Sequence, residues 1–363
     1  MKRLLMLVLS GIMVMAVSGL IFIGCTKEGP QGPAGTSGTN GKDANATCTQ
    51  CHNFGDTVIV KIFQYDASKH ATGSTVFEAT RTACAPCHSH EGFLDCVASG
   101  ADTSNQAYYN AAPINCRTCH DIHTTYTDAD WSIRTEAPFT ARYDKTVTID
   151  LTVPGAMPGA PSDGTSNLCG RCHQARSAAP WPTNPKGTDS LGVTSTRWGP
   201  HHGPQSLILA GKGALEMGAA AYGSTGHKNK ASCGTCHQGQ AQGDLVGGHT
   251  LWMNNAEVGD NVAVCKTCHS SIGSTFDLGG KQTEIAGMYQ QLKVLLATKN
   301  ILDTNTMLLK GPMSATKPKK FTQITLSVYW NFCLVDADRS MGVHNYKYTY
   351  DMLKSGIDYM SAQ

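Results

Sequence analysis

The sequence of 363 residues has few charged and few aromatic side chains. Charged residues make up 15% of it, aromatic residues 7%, and the formal net charge is only +2. A chain this close to neutral, without a basic run interleaved with aromatics, is not expected to bind nucleic acid. Together with 38 glycines, this composition is poorly suited to a conventional aliphatic core. Another group is therefore expected to fill part of the interior.

Cysteine is abundant, by contrast, and most of it follows one pattern. Twelve of the 15 cysteines occur as Cys-x-x-Cys with a histidine directly after the second cysteine. Zinc sites use paired Cys-x-x-Cys units but do not need a histidine after every pair, so zinc binding is disfavoured. The pattern occurs six times, as CTQCH (48–52), CAPCH (84–88), CRTCH (116–120), CGRCH (169–173), CGTCH (233–237) and CKTCH (265–269).

This pattern is that of covalent c-type haem attachment. Two cysteines three positions apart lie on one face of a helical turn, where they can bond both vinyl groups of one haem, and the histidine then reaches the iron. We therefore predict six covalently bound haems. The attaching residues are Cys48, Cys51, Cys84, Cys87, Cys116, Cys119, Cys169, Cys172, Cys233, Cys236, Cys265 and Cys268, and the proximal iron ligands are His52, His88, His120, His173, His237 and His269.

A second axial ligand on each iron distinguishes an electron carrier from an enzyme with an open site. Eight of the 14 histidines lie outside the motifs, and six are needed to complete six irons. His201 and His202 are adjacent, so only one of them is counted, and His90 is the alternative to His70. Methionine is a further alternative ligand. The predicted distal ligands are His70, His123, His202, His227, His249 and His344.

The N-terminus predicts export from the cytoplasm. Lys2 and Arg3 precede a long apolar run, as in a secretory signal. The run ends at Cys25 in a pattern that resembles a bacterial lipoprotein signal. We expect a signal over residues 1–24, lipidation of Cys25, and an outer-membrane or cell-surface location. A retained membrane-spanning helix and simple secretion are the alternatives.

The rest of the chain is expected to form three parts. Glycine at every third position predicts an extended spacer within residues 25–46. A hexahaem domain is expected over residues 47–280. Residues 281–363 carry no motif and are expected to form helices that pack on this domain and supply a distal ligand. The predicted fold is mostly α and coil, with short helices carrying the motifs and little or no sheet.

Two patterns within the C-terminal part support this expectation. Apolar residues at helical spacing from Ile285 to Leu296 predict one helix, and residues 346–360 predict another. Packing of the two against each other is the simplest arrangement, and a dimer interface is the alternative. Cys96 and Cys333 lie outside the motifs, and in an oxidising compartment a disulfide between them is conceivable.

Several segments resemble known multihaem cytochromes c. WGPHHGPQ (198–205) and WNFCLVDADRSMGVHN (330–345) look like segments of the nitrite-reductase-related multihaem superfamily. CHSHEGF and CRTCHDIH look like segments of surface cytochromes from metal-reducing bacteria. In the superfamily the histidine of a GVHN segment binds a haem from its far side, which implies that role for His344. Ammonia-forming nitrite reductases usually carry a catalytic CxxCK motif, which this sequence lacks, so no catalytic residue is carried over.

These observations predict an electron carrier with six bis-histidine haems rather than an enzyme with a dedicated catalytic site. We expect it to take electrons from other cytochromes or redox proteins and to pass them to an extracellular acceptor such as a metal oxide. The alternatives are a reductase of a small nitrogen or sulfur oxyanion, a subunit of a conductive filament or other homo-oligomer, and a membrane-bound quinol oxidase. Bound haems would add about −6 to −12 charges, so the loaded protein is expected to be acidic.

Overall fold

The computed structural model describes residues 56–155 and 163–363. These residues all belong to one compact unit. The predicted signal, the lipidation site Cys25, the spacer, and Cys48, Cys51 and His52 of the first motif lie outside the described residues. Within the described ranges, no helix is both long enough and apolar enough to cross a bilayer.

Short helices separated by coil dominate the region that carries the motifs. Helix α1 spans Asp56–Asp66. The helices that follow it are α2 (Ala85–His88), α3 (His90–Ser99), α4 (Cys116–Cys119), α5 (Thr165–Gly170), α6 (Gln205–Ala210) and α7 (Cys233–His237). Single 3-10 turns lie at Val76–Thr80, Asp128–Trp131, Gly226–Asn229, Gly248–Thr250, Cys265–Thr267 and Leu278–Gly280.

Capping residues explain why two of the motif helices begin where they do. The side chain of Asn115 caps α4, and the side chain of Ser232 caps α7, each directly before the first cysteine of a motif. In both helices the side chain of a threonine at the third position, Thr118 or Thr235, accepts a hydrogen bond from the amide of the capping residue. This reciprocal arrangement satisfies amide groups that a four- or five-residue helix would otherwise leave unpaired.

Strands are few and short, so the prediction of a mostly α and coil fold is confirmed. In the described ranges they form four two-stranded antiparallel sheets. The pairs are β1 (Phe139–Thr140) with β2 (Thr148–Ile149), β3 (Ser190–Val193) with β8 (Lys319–Thr322), β4 (Asn254–Asn255) with β5 (Gly259–Asp260), and β6 (Leu302–Asp303) with β7 (Leu308–Leu309).

Three longer helices form the main apolar core at the C-terminal end. They are α8 (Lys281–Thr298), α9 (Gln323–Asp338) and α10 (Tyr346–Ser361). The predicted stripe from Ile285 to Leu296 is buried against the other two helices. Gly356 allows the close approach, because a Cβ there would lie 3.0 Å from Leu292 and 3.1 Å from Val328. The two predicted C-terminal helices are therefore present as α8 and α10.

The central helix α9 joins this core to the motif region. Trp330 of α9 is fully buried, with its ring centre 4.8 Å from that of Trp181 and 6.0 Å from that of Trp198. Asn331 of α9 accepts a hydrogen bond from the amide of Leu215 and donates one to its carbonyl, both at 2.8 Å. These contacts tie the middle of α9 to the coil segments that carry Trp181, Trp198 and Leu215.

Candidate haem-binding site

Each described motif is folded around a single helical turn. In the third, fourth and sixth motifs the amide of the motif histidine donates to the carbonyl of the first cysteine. The N···O distances are 2.9 Å for His120, 3.0 Å for His173 and 2.7 Å for His269. In the second and fifth motifs the histidine is the last residue of α2 or α7. One turn therefore brings both cysteines and the histidine of a motif together, as attachment of a single haem requires.

A continuous cavity of about 3130 Å³ connects all five described motifs. Its volume is several times that of a typical pocket for a small ligand, which is about 300–1,000 Å³. The motif histidines that line it are His88, His120, His173, His237 and His269, and the histidines outside the motifs that line it are His70, His123, His201, His202, His227, His249 and His344.

The histidines in this cavity form pairs, each made of one motif histidine and one histidine from a distant segment. Five pairs of ring centres lie 5.9–6.3 Å apart. An imidazole nitrogen binds a first-row metal at about 2.0 Å, so two imidazoles on opposite sides of one metal have ring centres about 6 Å apart. The pairs are His88 with His201 (6.3 Å), His120 with His249 (6.2 Å), His173 with His70 (6.1 Å), His237 with His344 (6.3 Å) and His269 with His227 (5.9 Å).

Hydrogen bonds at Nδ1 orient several of these rings. His120 donates to the carbonyl of Trp131 at 2.7 Å, His237 to that of Leu251 at 2.9 Å, and His227 to that of Val343 at 2.8 Å. A ring whose Nδ1 carries the hydrogen presents Nε2 as its free ligand atom. The same bond raises the basicity of that atom, which favours binding to a metal. The other two bonds of this kind join His173 to the side-chain oxygen of Gln205 and His344 to Asp338.

Burial keeps most of these rings neutral, as a metal ligand must be. It lowers the pKa of His70 and of His201 to about 4, with neighbouring histidines and Arg176 as smaller causes. Burial also lowers the pKa of four more of these rings below the usual value for histidine. They are His88, His173, His237 and His249.

Unsatisfied polar atoms provide a separate test of whether haem fits this cavity. Among the described residues, Arg142 Nε, Ser206 Oγ and His249 Nδ1 line the cavity, are buried, and have no hydrogen-bond partner. Buried polar groups are rarely left in this state, because each costs about 1–3 kcal/mol. The propionates of a haem are acceptors that can satisfy such donors, so the polar groups fit the cofactor that the motifs predict.

His201, and not His202, is the residue that faces His88. The sequence pattern favoured His202 from this adjacent pair, whereas the structure places the ring of His201 opposite that of His88. His201 has a φ of 69° between Gly199 and Gly203, which also have positive φ values. This left-handed conformation costs a non-glycine residue about 1–3 kcal/mol and turns the His201 ring toward the second motif. No local sequence signal distinguishes the two histidines.

His90 is paired with none of the five described motif histidines. His90 does not line the cavity: it is buried in α3 and its Nδ1 is hydrogen-bonded to Thr118 Oγ1 at 2.9 Å. His90 was the alternative to His70 as a predicted distal ligand. The ring of His70 lies opposite that of His173. His123 lines the cavity with a φ of 65°, and its ring stacks on Tyr126 at 5.6 Å.

The two described cysteines outside the motifs are not bonded to each other. Cys96 lies in α3 and Cys333 lies in α9, and both are free thiols in the structure. The conceivable disulfide between them is therefore not formed. Burial raises the pKa of Cys96 to about 11 and that of Cys333 to about 12.

Cysteines of different motifs touch inside the cavity. The thiol of Cys87 contacts that of Cys172, and the thiol of Cys169 contacts that of Cys233. The second motif therefore lies beside the second cysteine of the fourth motif, and the fifth motif lies beside its first cysteine. Cys119 of the third motif is close enough to Cys169 and Cys172 to contribute to the rise in the pKa of both.

The fifth and sixth motifs are also neighbours. Burial and the nearby thiol of Cys265 raise the pKa of Cys236 to about 11. The five described motifs are therefore arranged in an order that differs from their order along the chain, with the fourth motif in the middle.

Asp338 is a candidate functional residue that sequence reasoning missed. Its Oδ1 accepts a hydrogen bond from His344 Nδ1 at 2.7 Å, and Asp338 is only 4% exposed. Burial alone would lower the pKa of His344, but the adjacent carboxylate raises it above its usual value. The contact depends on a chain reversal after α9, in which Arg339, Met341 and Gly342 have positive φ values. The spacing Asp-x₅-His is too common to have indicated it.

No protein-family model matches the chain, and no curated protein matches it. A solved structure, the outer cell wall cytochrome OcwA, is similar to it with a TM-score of 0.49 and 18% sequence identity. The similarity covers 82% of this chain and 49% of that one, so this chain spans about half the length of OcwA.

Proposed function

We propose that this chain is a multihaem c-type cytochrome that transfers electrons through iron atoms held between paired histidines. The observation that carries the proposal is the pairing of all five described motif histidines with a distant histidine at 5.9–6.3 Å. Core packing would not place a second ring at this spacing from every motif histidine. A haem iron with two histidine ligands supplies one-electron transfer by changing between Fe(III) and Fe(II).

The proposed distal ligands follow from the pairs. They are His201 for the second motif, His249 for the third, His70 for the fourth, His344 for the fifth and His227 for the sixth. We keep His123 as a proposed distal ligand, because it lines the same cavity.

The contacts between cysteines support an electron path with a junction. The fourth motif touches the second through Cys87 and Cys172, and it touches the fifth through Cys169 and Cys233. The third motif approaches the fourth through Cys119, and the sixth lies beyond the fifth. Because electron transfer slows steeply with separation, we propose that electrons pass between the arms through the site of His173 and His70.

The location and partners of the protein are proposed from its sequence. The leader and Cys25 support an exported lipoprotein at the outer membrane or cell surface. We propose other cytochromes or redox proteins as electron donors and an extracellular acceptor, such as a metal oxide, as the destination. The arrangement of two facing histidines leaves no ligand position for a substrate at the five described motifs, which favours electron transfer over catalysis.

Mass spectrometry and EPR of the purified protein test the proposal together. The intact mass should include six covalent haems, and every iron of the oxidised protein should give a low-spin signal. Cys172→Ser should impair haem attachment at the fourth motif, whereas Cys96→Ser, outside the motifs, should keep all six haems. A protein without covalent haem would overturn the proposal. A high-spin iron in the unaltered protein would instead favour the reductase, with nitrite and hydroxylamine as the first substrates to try.

A further inference from the structure

The site formed by His237 and His344 differs from the other four described pairs in one respect. Within residues 56–155 and 163–363, Asp338 is the only carboxylate that is hydrogen-bonded to a paired histidine. The Nδ1 atoms of His120, His227 and His237 donate to backbone carbonyls, and that of His173 bonds to an amide oxygen. His344 alone among the paired rings shares its Nδ1 hydrogen with a charged group.

The carboxylate is fixed in place by its surroundings. Asp338 Oδ2 accepts a hydrogen bond from the hydroxyl of Ser340, and that hydroxyl in turn accepts one from the amide of His344 at 3.2 Å. Asp338 is also the last residue of α9, and the C-terminal dipole of this helix adds negative partial charge beside the ring of His344 rather than holding the carboxylate. Little water reaches the carboxylate, which is 4% exposed, so its charge is weakly screened.

We propose that Asp338 makes the site of His237 and His344 the lowest-potential iron among the five that the described motifs hold. This inference rests on the proposed function. A carboxylate that accepts the Nδ1 hydrogen gives the ring partial imidazolate character and makes Nε2 a stronger donor. A stronger donor stabilises Fe(III) relative to Fe(II), and the negative charge of Asp338 acts in the same direction. Arg339, which also lines the cavity, is the cationic side chain next to Asp338 in sequence and opposes part of this effect.

A low potential at the fifth motif would affect how electrons move along the proposed path. Among the described motifs, the fifth lies between the fourth and the sixth, so an electron that moves from one to the other along the contacts between thiols passes the site with the lowest potential. At partial reduction that site stays oxidised while its neighbours hold electrons. Asp338 would thus separate the sixth motif from the rest of the path until the protein is strongly reduced.

The test is a spectroelectrochemical titration of the haem-loaded protein carrying Asp338→Asn. The amide keeps the shape of the side chain and removes its charge. We expect a positive shift of the lowest midpoint potential, an altered low-spin EPR signature of the same haem, and no shift of the others. Asp336→Asn is the matched control, because Asp336 lies on the same helix and lines the same cavity but accepts its hydrogen bond from the hydroxyl of Tyr289. It should give a smaller shift.

A second variant tests the inference even if Asp338→Asn does not fold. Methionine in place of histidine raises the potential of a haem, so His344→Met should remove the lowest-potential wave from the titration. Loss of any other wave would overturn the inference, as would an Asp338→Asn protein with unchanged potentials or an equal shift from Asp336→Asn. In each of these outcomes six low-spin haems in the unaltered protein would leave the proposed function standing, whereas absence of haem would overturn both.

Discussion

Replacing His201 by alanine should open one iron of the six, while replacing His202 should open none. The ring of His201 lies 6.3 Å from that of His88, which is the spacing of two ligands on one metal. The ring of His202 lies 5.3 Å from that of His201 and is paired with no motif histidine within the described residues. The two variants remove the same side chain from adjacent positions, so each serves as the control for the other.

The expected magnitude follows from the number of motifs. In His201→Ala, one sixth of the total haem should change from low spin to high spin, and the remaining five sixths should keep their signals. Quantitative EPR of the oxidised protein, referred to total haem, measures this fraction. Added imidazole should restore the low-spin signal, because it can occupy the position that the His201 ring has left.

Two results would refute the reasoning. If His202→Ala produced the high-spin fraction and His201→Ala did not, the backbone turn at 199–203 would have been assigned the wrong histidine. If neither variant changed the spin state, the second motif would take its distal ligand from elsewhere, and the ring spacing would have lost its value as a criterion for the other four pairs.

Two further predictions concern the fold and the thiols. Asn331→Leu should lower the free energy of unfolding by about 2–5 kcal/mol, because it leaves both the amide and the carbonyl of Leu215 buried without a partner. Denaturant titration followed by circular dichroism measures this loss, and the exposed Asn105→Leu is a control that should change stability by less than about 0.5 kcal/mol. With Cys25 lipidated as proposed, a thiol reagent should find two free cysteines, Cys96 and Cys333, in the denatured haem-loaded protein. Neither should react in the native protein near neutral pH, because burial raises the pKa of both and keeps the reactive thiolate scarce below about pH 11. A count of zero would indicate a disulfide, and a count above two would indicate an unlipidated Cys25 or a motif without attached haem.

Local patterns were sufficient to predict the class of the fold and the helical turns at the described Cys-x-x-Cys-His segments. A Cys-x-x-Cys-His segment contains everything that one helical turn needs to bring its three side chains together. Capping residues such as Asn115 and Ser232 stand directly before the turn that they stabilise. The apolar stripe from Ile285 to Leu296 likewise predicted α8, because the spacing of apolar residues within a few helical turns is enough to indicate a helix.

The pairing of the histidines was decided by tertiary structure. His70 meets His173 and His344 meets His237 across segments that are far apart in the chain, and no local pattern specifies which distant ring reaches which motif. The choice of His201 depends on a left-handed backbone conformation that the adjacent His202 does not share. The role proposed for Asp338 depends on a chain reversal after α9. Sequence by itself determined which groups can bind metal, because that is a property of side chains. Only the fold decided which of them face each other, because a bond to a metal requires two atoms to meet within a few tenths of an ångström.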